Sequence, residues 1–292
     1  MSILVDTNSR IVVQGITGKE GSFHAQRCID FGTNVVAGVT PGKGSTLFMD
    51  SVPIFDTLEQ AVEKTQPNVS IIFVPAPFAP DAILEAAENE IPLIICITEG
   101  LPVQDTIRVV RYIERKPVRL LGPNCPGIIS PGDKCKVGIM PASIHKAGKV
   151  GVVSRSGTLT YETVQQLSEL GIGQSTCVGI GGDPVSGTTF ADILEMFQND
   201  PETDAVVLIG EIGGTKEQLA ADYIKNNFKK PIASLIVGQT APKGKRMGHA
   251  GAVVTGPAAL ASEKIAALRD AGAFIINTPS EIGATVEKML NT

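Results

Sequence analysis

The string Ala241-Pro242-Lys243-Gly244-Lys245-Arg246-Met247-Gly248-His249-Ala250-Gly251-Ala252 sets a histidine among glycine and alanine, with three cations just upstream. Small neighbours let a phosphoryl donor approach, and a neutral imidazole is a competent nucleophile toward phosphorus. On these residues alone His249 reads as a nucleophile or phosphate contact, or as a plain loop histidine. Gly210-Glu211-Ile212-Gly213-Gly214 places a carboxylate among glycines at the end of an apolar run, as a site acid or a solvated loop acid. Ser154-Arg155-Ser156-Gly157-Thr158 opens a helical pattern with two hydroxyls and a glycine. Such a start serves as an N-cap, the commoner use, or as an anion site.

Near the beginning of the chain, Gly15-x-x-Gly18-x-x-Gly21 sets a tight turn before a helix. That turn either serves packing or presents free N–H groups and a positive dipole end to a phosphate. It departs from the dinucleotide fingerprint G-x-G-x-x-G. A NAD-binding domain carries Asp or Glu after its second strand to hold the ribose hydroxyls. This chain has Thr40-Pro41-Gly42-Lys43-Gly44 there, and a cation points to a ligand with an additional phosphate, such as NADP or coenzyme A. No Gly-x-Ser-x-Gly elbow, no H-E-x-x-H or Cys/His zinc spacing and no G-x-x-x-x-G-K-S/T string occurs. A hydrolase elbow, a metal site and a standard nucleoside triphosphate site are therefore not expected. His24, in the first helical pattern, and His145 read as capping or surface residues.

The elements that must position these groups are short apolar runs, each ending in Gly, Pro or Ser and followed by a helical pattern. Runs at 11–13, 35–39, 69–74 and 93–97 alternate with helices such as 81–90 and 106–114. A second series runs through 150–153, 176–180, 205–209, 232–237 and 274–276, and a last helix carries Ile282, Val286 and Met289 on one face. This alternation indicates βαβ units and two tandem α/β domains with parallel sheets, whose ligands bind beyond the carboxyl ends of the strands. The Pro- and Gly-rich stretch 123–149 is expected as the junction between domains 1–122 and 150–292. With 292 residues the chain can fill two cores, and its net charge of −5 with no Trp offers nothing to a nucleic acid. Five cysteines without a C-x-x-C pair fit free thiols in a reducing compartment. The chain has neither a basic leader nor an apolar run long enough for a membrane span, so a bacterial cytoplasmic protein is expected.

The sequence resembles the alpha subunits of succinyl-CoA synthetases nearly end to end. The strings that carry the resemblance are Thr17-Gly18-Lys19-Glu20-Gly21, Pro41-Gly42-Lys43-Gly44, Val74-Pro75-Ala76-Pro77, Ile97-Thr98-Glu99-Gly100 and Gly122-Pro123-Asn124-Cys125-Pro126-Gly127. They continue through Ser154 to Glu162, Gly179 to Pro184, Gly210 to Gly214 and Gly248-His249-Ala250-Gly251-Ala252. The resemblance implies a Rossmann-like CoA-binding domain followed by a flavodoxin-like ligase domain. It implies CoA contacts at Thr17, Gly18, Lys19, Glu20, Lys43, Ile97, Thr98 and Glu99, and a transiently phosphorylated His249 oriented by Glu211. Tyr161 matches a substrate contact, and Ser154, Ser156 and Gly157 lie where the family's helix start holds the phosphoryl group. A larger beta subunit, whose ATP-grasp domain binds Mg2+ and ATP or GTP, is implied as partner, either one of each subunit or two of each. Succinate, CoA and phosphate are the implied small molecules. Lys19-Glu20 replaces the family's frequent Ser-Gln, and Thr255-Gly256-Pro257 replaces a more Gly-rich loop. The alternatives are a sister synthetase for malate, acetate or a citrate-like acid, and a CoA- or NADP-binding regulatory module without catalysis.

Overall fold

A computed structural model describes residues 2–292. In the first half, strands β1 (Ile11–Gln14), β2 (Val35–Val39), β3 (Leu47–Phe48), β4 (Val52–Phe55), β5 (Val69–Ile72), β6 (Leu93–Cys96) and β7 (Arg119–Leu121) form a seven-stranded sheet. Its order is β3-β4-β2-β1-β5-β6-β7, parallel except for β3 against β4. Helices α1 (Lys19–Phe31), α2 (Leu58–Thr65), α3 (Ala79–Glu88) and α4 (Val103–Ile113) connect the strands. The chain leaves β1 toward β2 on one side and returns to β5 on the other, which opens a crevice at the carboxyl end of β1.

The stretch 123–149 holds β8 (Gly127–Ser130) and β9 (Cys135–Gly138), an antiparallel pair that joins the second sheet rather than hanging between the two. The other strands of that sheet are β10 (Ala147–Ser154), β11 (Gln174–Gly179), β12 (Ala205–Glu211), β13 (Ile232–Val237) and β14 (Phe274–Ile276). The order β14-β13-β12-β10-β11-β8-β9 again reverses at its central strand, here β10. Helices α5 (Gly157–Glu169), α6 (Phe190–Asn199), α7 (Lys216–Asn227), α8 (Ala261–Asp270) and α9 (Ile282–Leu290) cover it.

Strands β1, β5, β6 and β12 are buried along their whole length, as expected for sheets covered on both faces. One apolar cluster runs through both sheets, from Ile11 and Cys28 by way of Leu121, Ile128 and Val137 to Val178 and Val206. The Thr33 hydroxyl adds to this seam, donating to the Lys136 carbonyl and accepting from the Lys136 N–H, both at 2.9 Å. The shared core fixes the carboxyl ends of the two sheets against each other. The architecture is a Rossmann-like domain followed by a flavodoxin-like one.

Candidate active site

His249 stands at the tip of a tight turn. Arg246 and Val253 form an antiparallel bridge, Met247 N donates to Ala252 O at 2.9 Å, and Ala252 N donates to His249 O at 3.1 Å. The imidazole is half-buried against Gly182, where a Cβ would lie 2.4 Å from the ring's Cγ. Only glycine lets the loop after β11 back the ring this closely. Gly213 plays the same part for the loop after β12: a Cβ there would meet Gly251 O at 1.9 Å, and its φ of +92° is itself a glycine conformation.

Glu211, the last residue of β12, turns both carboxylate oxygens to His249 Nδ1, at 3.0 and 2.9 Å. The carboxylate accepts a hydrogen bond from Nδ1–H, which leaves Nε2 of the neutral ring with the lone pair. That hydrogen bond and the Glu211 charge hold the imidazole's pKa above its ordinary value, against its burial and the Arg155 cation, while Glu99 adds to the rise.

Behind Glu211 lies a buried set of charges. Arg155 Nη2 is 3.2 Å from Glu211 Oε1, and Arg155 Nη1 donates to Glu217 Oε1 at 2.9 Å. Glu217 also accepts from Lys264 Nζ, which donates further to the carbonyls of Glu211 (2.9 Å) and Gly213 (2.6 Å). Glu211 N completes the set by donating to Glu217 Oε1 at 3.2 Å. Burial pushes the Glu217 carboxyl up, but the Arg155 and Lys264 cations and their hydrogen bonds prevail and hold it low. Buried charges survive only when paired this fully.

Ser154 Oγ donates to Ser156 O at 2.9 Å and accepts from Ser156 N at 3.0 Å, while Ser156 Oγ caps α5 through Leu159 N at 3.3 Å. Gly157 is the first residue of α5, and Tyr161 lies one turn on, its hydroxyl 3.6 Å from where a Gly157 Cβ would stand. Burial, then the neighbouring Cys125, pushes the Tyr161 phenol up to about 12. Cys125 Sγ donates to Cys96 O at 3.4 Å, and burial pushes its thiol up to about 12, so it is a packed thiol rather than a reactive one.

At the first sheet, Thr17 Oγ1 donates to Thr40 Oγ1 at 3.2 Å, and Gly18 begins α1 with no side-chain cap, which leaves the first N–H groups of the helix available. A Cβ at Gly21 would lie 2.1 Å from Gly15 O, so the close glycine turn is obligatory. Lys19, Glu20 and Lys43 are exposed. Ile97 and Thr98 follow β6, with Thr98 Oγ1 donating to Val74 O at 2.7 Å. This cradle suits a phosphorylated ligand.

The two sets of strand ends meet. Asn124 N donates to Thr98 O at 3.0 Å, Asn124 Nδ2 donates to Asp183 Oδ1 at 2.9 Å, and Gly182 N donates to Asn124 O at 3.1 Å. Glu99, beside Thr98, lies 3.7 Å from Arg246 on the His249 loop. The structure thus gathers His249, Glu211 and Glu99 at the carboxyl ends of the strands, where α5 also starts after β10, with Thr17 to Glu20 and Lys43 beyond the carboxyl ends of β1 and β2. Sequence reading missed Arg155, Glu217, Lys264 and Asn124 as parts of the site. Arg155 stood in view between the two serines. Glu217 and Lys264 carry no local signal, because their partners lie on other elements.

This is the arrangement of a CoA-binding domain joined to a CoA-ligase domain, and two family profiles of those descriptions match residues 6–100 and 153–274. The alpha subunit of succinate–CoA ligase (ADP-forming) from Staphylococcus epidermidis is 57% identical over 286 residues, covering 98% of this chain and 94% of that protein. Its counterpart in Aquifex aeolicus is 56% identical over 292 residues, covering 99% and 95%. The chain belongs to the family of succinate–CoA ligase alpha subunits. Among solved structures, ATP citrate lyase from Methanothrix soehngenii, in complex with citrate and coenzyme A, shares the fold with a TM-score of 0.89 at 23% identity. The match covers 99% of this chain but 50% of that one, so the chain spans half its length. A dinucleotide-forming acetyl-coenzyme A synthetase from Ca. Korarchaeum cryptofilum shares the fold with a TM-score of 0.76 at 20% identity, over 93% of this chain and 58% of that one. Among the described residues, no helix is long and apolar enough to cross a membrane.

Proposed function

We propose that this chain, as alpha subunit, carries the phosphohistidine of a succinate–CoA ligase. The enzyme converts succinate, CoA and a nucleoside triphosphate to succinyl-CoA, the nucleoside diphosphate and phosphate, reversibly, as in the citric acid cycle. The observation that supports this most directly is the pair of Glu211 oxygens on His249 Nδ1, at 3.0 and 2.9 Å, which commits Nε2 to attack. In the first step an Nε2–P bond forms as the γ-phosphoryl leaves the diphosphate, and Glu211 stabilises the positive charge that develops on the ring. A succinate oxygen then takes the phosphoryl group, breaking N–P and giving succinyl phosphate. The CoA sulfur attacks its carbonyl carbon, C–S forms, phosphate departs, and the thiol proton leaves with it. The sequence activates a carboxylate, a poor electrophile, before the thiol arrives.

CoA is assigned to the cradle of Thr17, Gly18, Lys19 and Glu20 with Lys43, Ile97, Thr98 and Glu99. The uncapped start of α1 and the glycine turn beneath it support that assignment. Ser154, Ser156 and Gly157 are assigned to the phosphoryl group and Tyr161 to the acid. The reading divides the chain into a CoA-binding domain 1–122, a junction 123–149 and a ligase domain 150–292. A beta subunit with an ATP-grasp domain supplies Mg2+ and ATP or GTP, in a cytoplasmic heteromer of one or two copies of each subunit.

The test is a phosphorylation map. The chain is purified with the partner that accompanies it from its own host and given γ-labelled ATP or GTP with Mg2+. The expected result is an acid-labile, base-stable label on His249 that succinate plus CoA discharges and CoA alone does not. Label that succinate cannot discharge moves the substrate to a sister acid. Absence of label with an intact partner overturns the phosphohistidine reading.

A further inference from the structure

Arg155 sits inside the segment assigned to phosphate, between two serines at the start of α5, yet its side chain does not face that start. It is only 2% exposed and runs inward beneath the His249 loop, one arm of the guanidinium on Glu211 and the other on Glu217. Nη2 is also, with Gly182 O, only 2.9 Å from where a Gly251 Cβ would lie, so the fork fits tightly under the residues following His249. A fork of this kind matches carboxylate geometry and resists rotation, as an ammonium on a flexible stem does not. Glu217 is itself pinned by Lys264 Nζ, whose other hydrogen bonds grip the carbonyls of Glu211 and Gly213. The backbone and the carboxylate of Glu211 are therefore gripped by three linked residues, Arg155, Glu217 and Lys264.

Resting on His249 as phosphoryl carrier, we propose that Arg155 is a positioning residue: braced by Glu217 and Lys264, it fixes the Glu211 carboxylate so that both oxygens stay on His249 Nδ1 while Nε2 gains and loses the phosphoryl group. A phosphoryl group brings negative charge close to Glu211, and a carboxylate without a brace would swing away from it. The Arg155 cation opposes that motion by direct attraction and by geometry.

The groups facing His249 are Glu211 from β12, Arg155 from the β10–α5 turn and Glu99 from the loop after β6. Arg246 lies on its own loop, Asp183 follows Gly182 behind the ring, Glu217 and Lys264 lie behind Glu211, and Lys216 from α7, whose pKa burial lowers to about 8, donates to Asp183 O at 3.0 Å. Because the leading cause of the raised His249 pKa is the hydrogen bond to Glu211, and the Arg155 charge acts in the opposite sense, the roles separate cleanly. The histidines of this chain are labelled with 15N in the intact complex with an unlabelled partner, and the His249 titration midpoint and Nδ1–H resonance are followed. In Arg155→Gln, loss of positioning lowers the midpoint toward the ordinary value and erases the hydrogen-bonded Nδ1–H signal. The rate of His249 phosphorylation falls about 10–100-fold. Arg155→Lys keeps the charge but not the fork, so it shows the same fall and carries the test if the glutamine variant does not fold. A midpoint that rises in Arg155→Gln means that Arg155 acts only as a charge, and one that stays put in Arg155→Lys, where the charge is kept, means that it acts only in packing. Either outcome overturns the proposal. The wild-type titration does not depend on labelling by a nucleotide, so failure of the phosphohistidine reading is seen separately.

Discussion

Around His249 the fixing contacts come from buried side chains, whereas at the carboxyl ends of the first sheet they come mostly from the backbone. Glu211, Arg155, Glu217 and Lys264 are each buried and each bonded to at least one other of the four. Thr17, Gly18, Lys19, Glu20 and Lys43 are exposed, and what shapes their loops is a glycine turn, an uncapped helix start and the hydrogen bond from Lys43 N to Thr40 O. The difference follows from the tasks assigned to the two ends. A nucleophile that cycles between charge states needs a preorganised electrostatic surround that does not relax. A nucleotide-like ligand that arrives and leaves is gripped well enough by N–H groups and a mobile cation.

The largest effects fall at the buried end. Glu211→Gln leaves the hydrogen-bond geometry nearly in place but removes the charge that favours the developing imidazolium. His249 phosphorylation should drop about 10²–10⁴-fold with little change in nucleotide KM. A drop under tenfold would show that the carboxylate is not the orienting group. Glu217→Ala leaves the buried cations Arg155 and Lys264 with one carboxylate, Glu211, between them and should cost about 3–5 kcal/mol of stability, read by denaturant unfolding of the complex. The same substitution at exposed Glu20 should stay within about 0.5 kcal/mol. Equal costs at the two positions would erase the contrast between the two ends.

The pH profile comes next in size. His249 has a folded pKa above the unfolded value of about 6.5, so its protonation stabilises the fold. That contribution is fully present below about pH 6.5 and is lost as pH rises through the higher folded value. In the proposed mechanism catalysis runs the opposite way, because the neutral ring attacks. The phosphorylation rate should rise with a midpoint above about 6.5 and fall about tenfold per unit of pH below it. A midpoint at or under the ordinary histidine value would mean that Glu211 does not hold Nδ1–H in solution.

Local pattern reaches the strands and the chemistry-bearing residue types, and stops where partners come from distant elements. The runs at 35–39, 205–209 and 232–237 are legible because both faces of those strands are apolar. Helix α4 begins at Val103 rather than Thr106, since Pro102 starts it and the exposed Val103 gives no periodic signal. The β8–β9 hairpin hides among Pro and Gly in 123–149, and its strands are specified by the pairing of β8 with β11 and of β9 with β8 rather than by their own alternation. His249, Glu211 and Ser154 stand out by type and neighbours. Lys264 does not: it lies in an ordinary amphipathic helix, and only the fold brings it to a residue 53 positions earlier.

The smallest expected effect tests the exposed end. Lys43 follows Gly42, whose φ of +75° turns the loop outward, and its ammonium has no partner among the described residues. If that cation meets the extra phosphate of CoA, Lys43→Ala should raise the KM for CoA about tenfold, the worth of one charge-assisted hydrogen bond. The effect should shrink as salt screens the pair. His249 labelling by the nucleotide should not change, since nothing in the buried set touches this loop. CoA stripped of its ribose phosphate supplies the control: wild type and variant should then bind it alike. A tenfold loss with the stripped ligand as well would place Lys43 on some other part of CoA. A loss of His249 labelling would mean that the two ends are functionally coupled through the Asn124 hydrogen bonds or the exposed contact between Glu99 and Arg246.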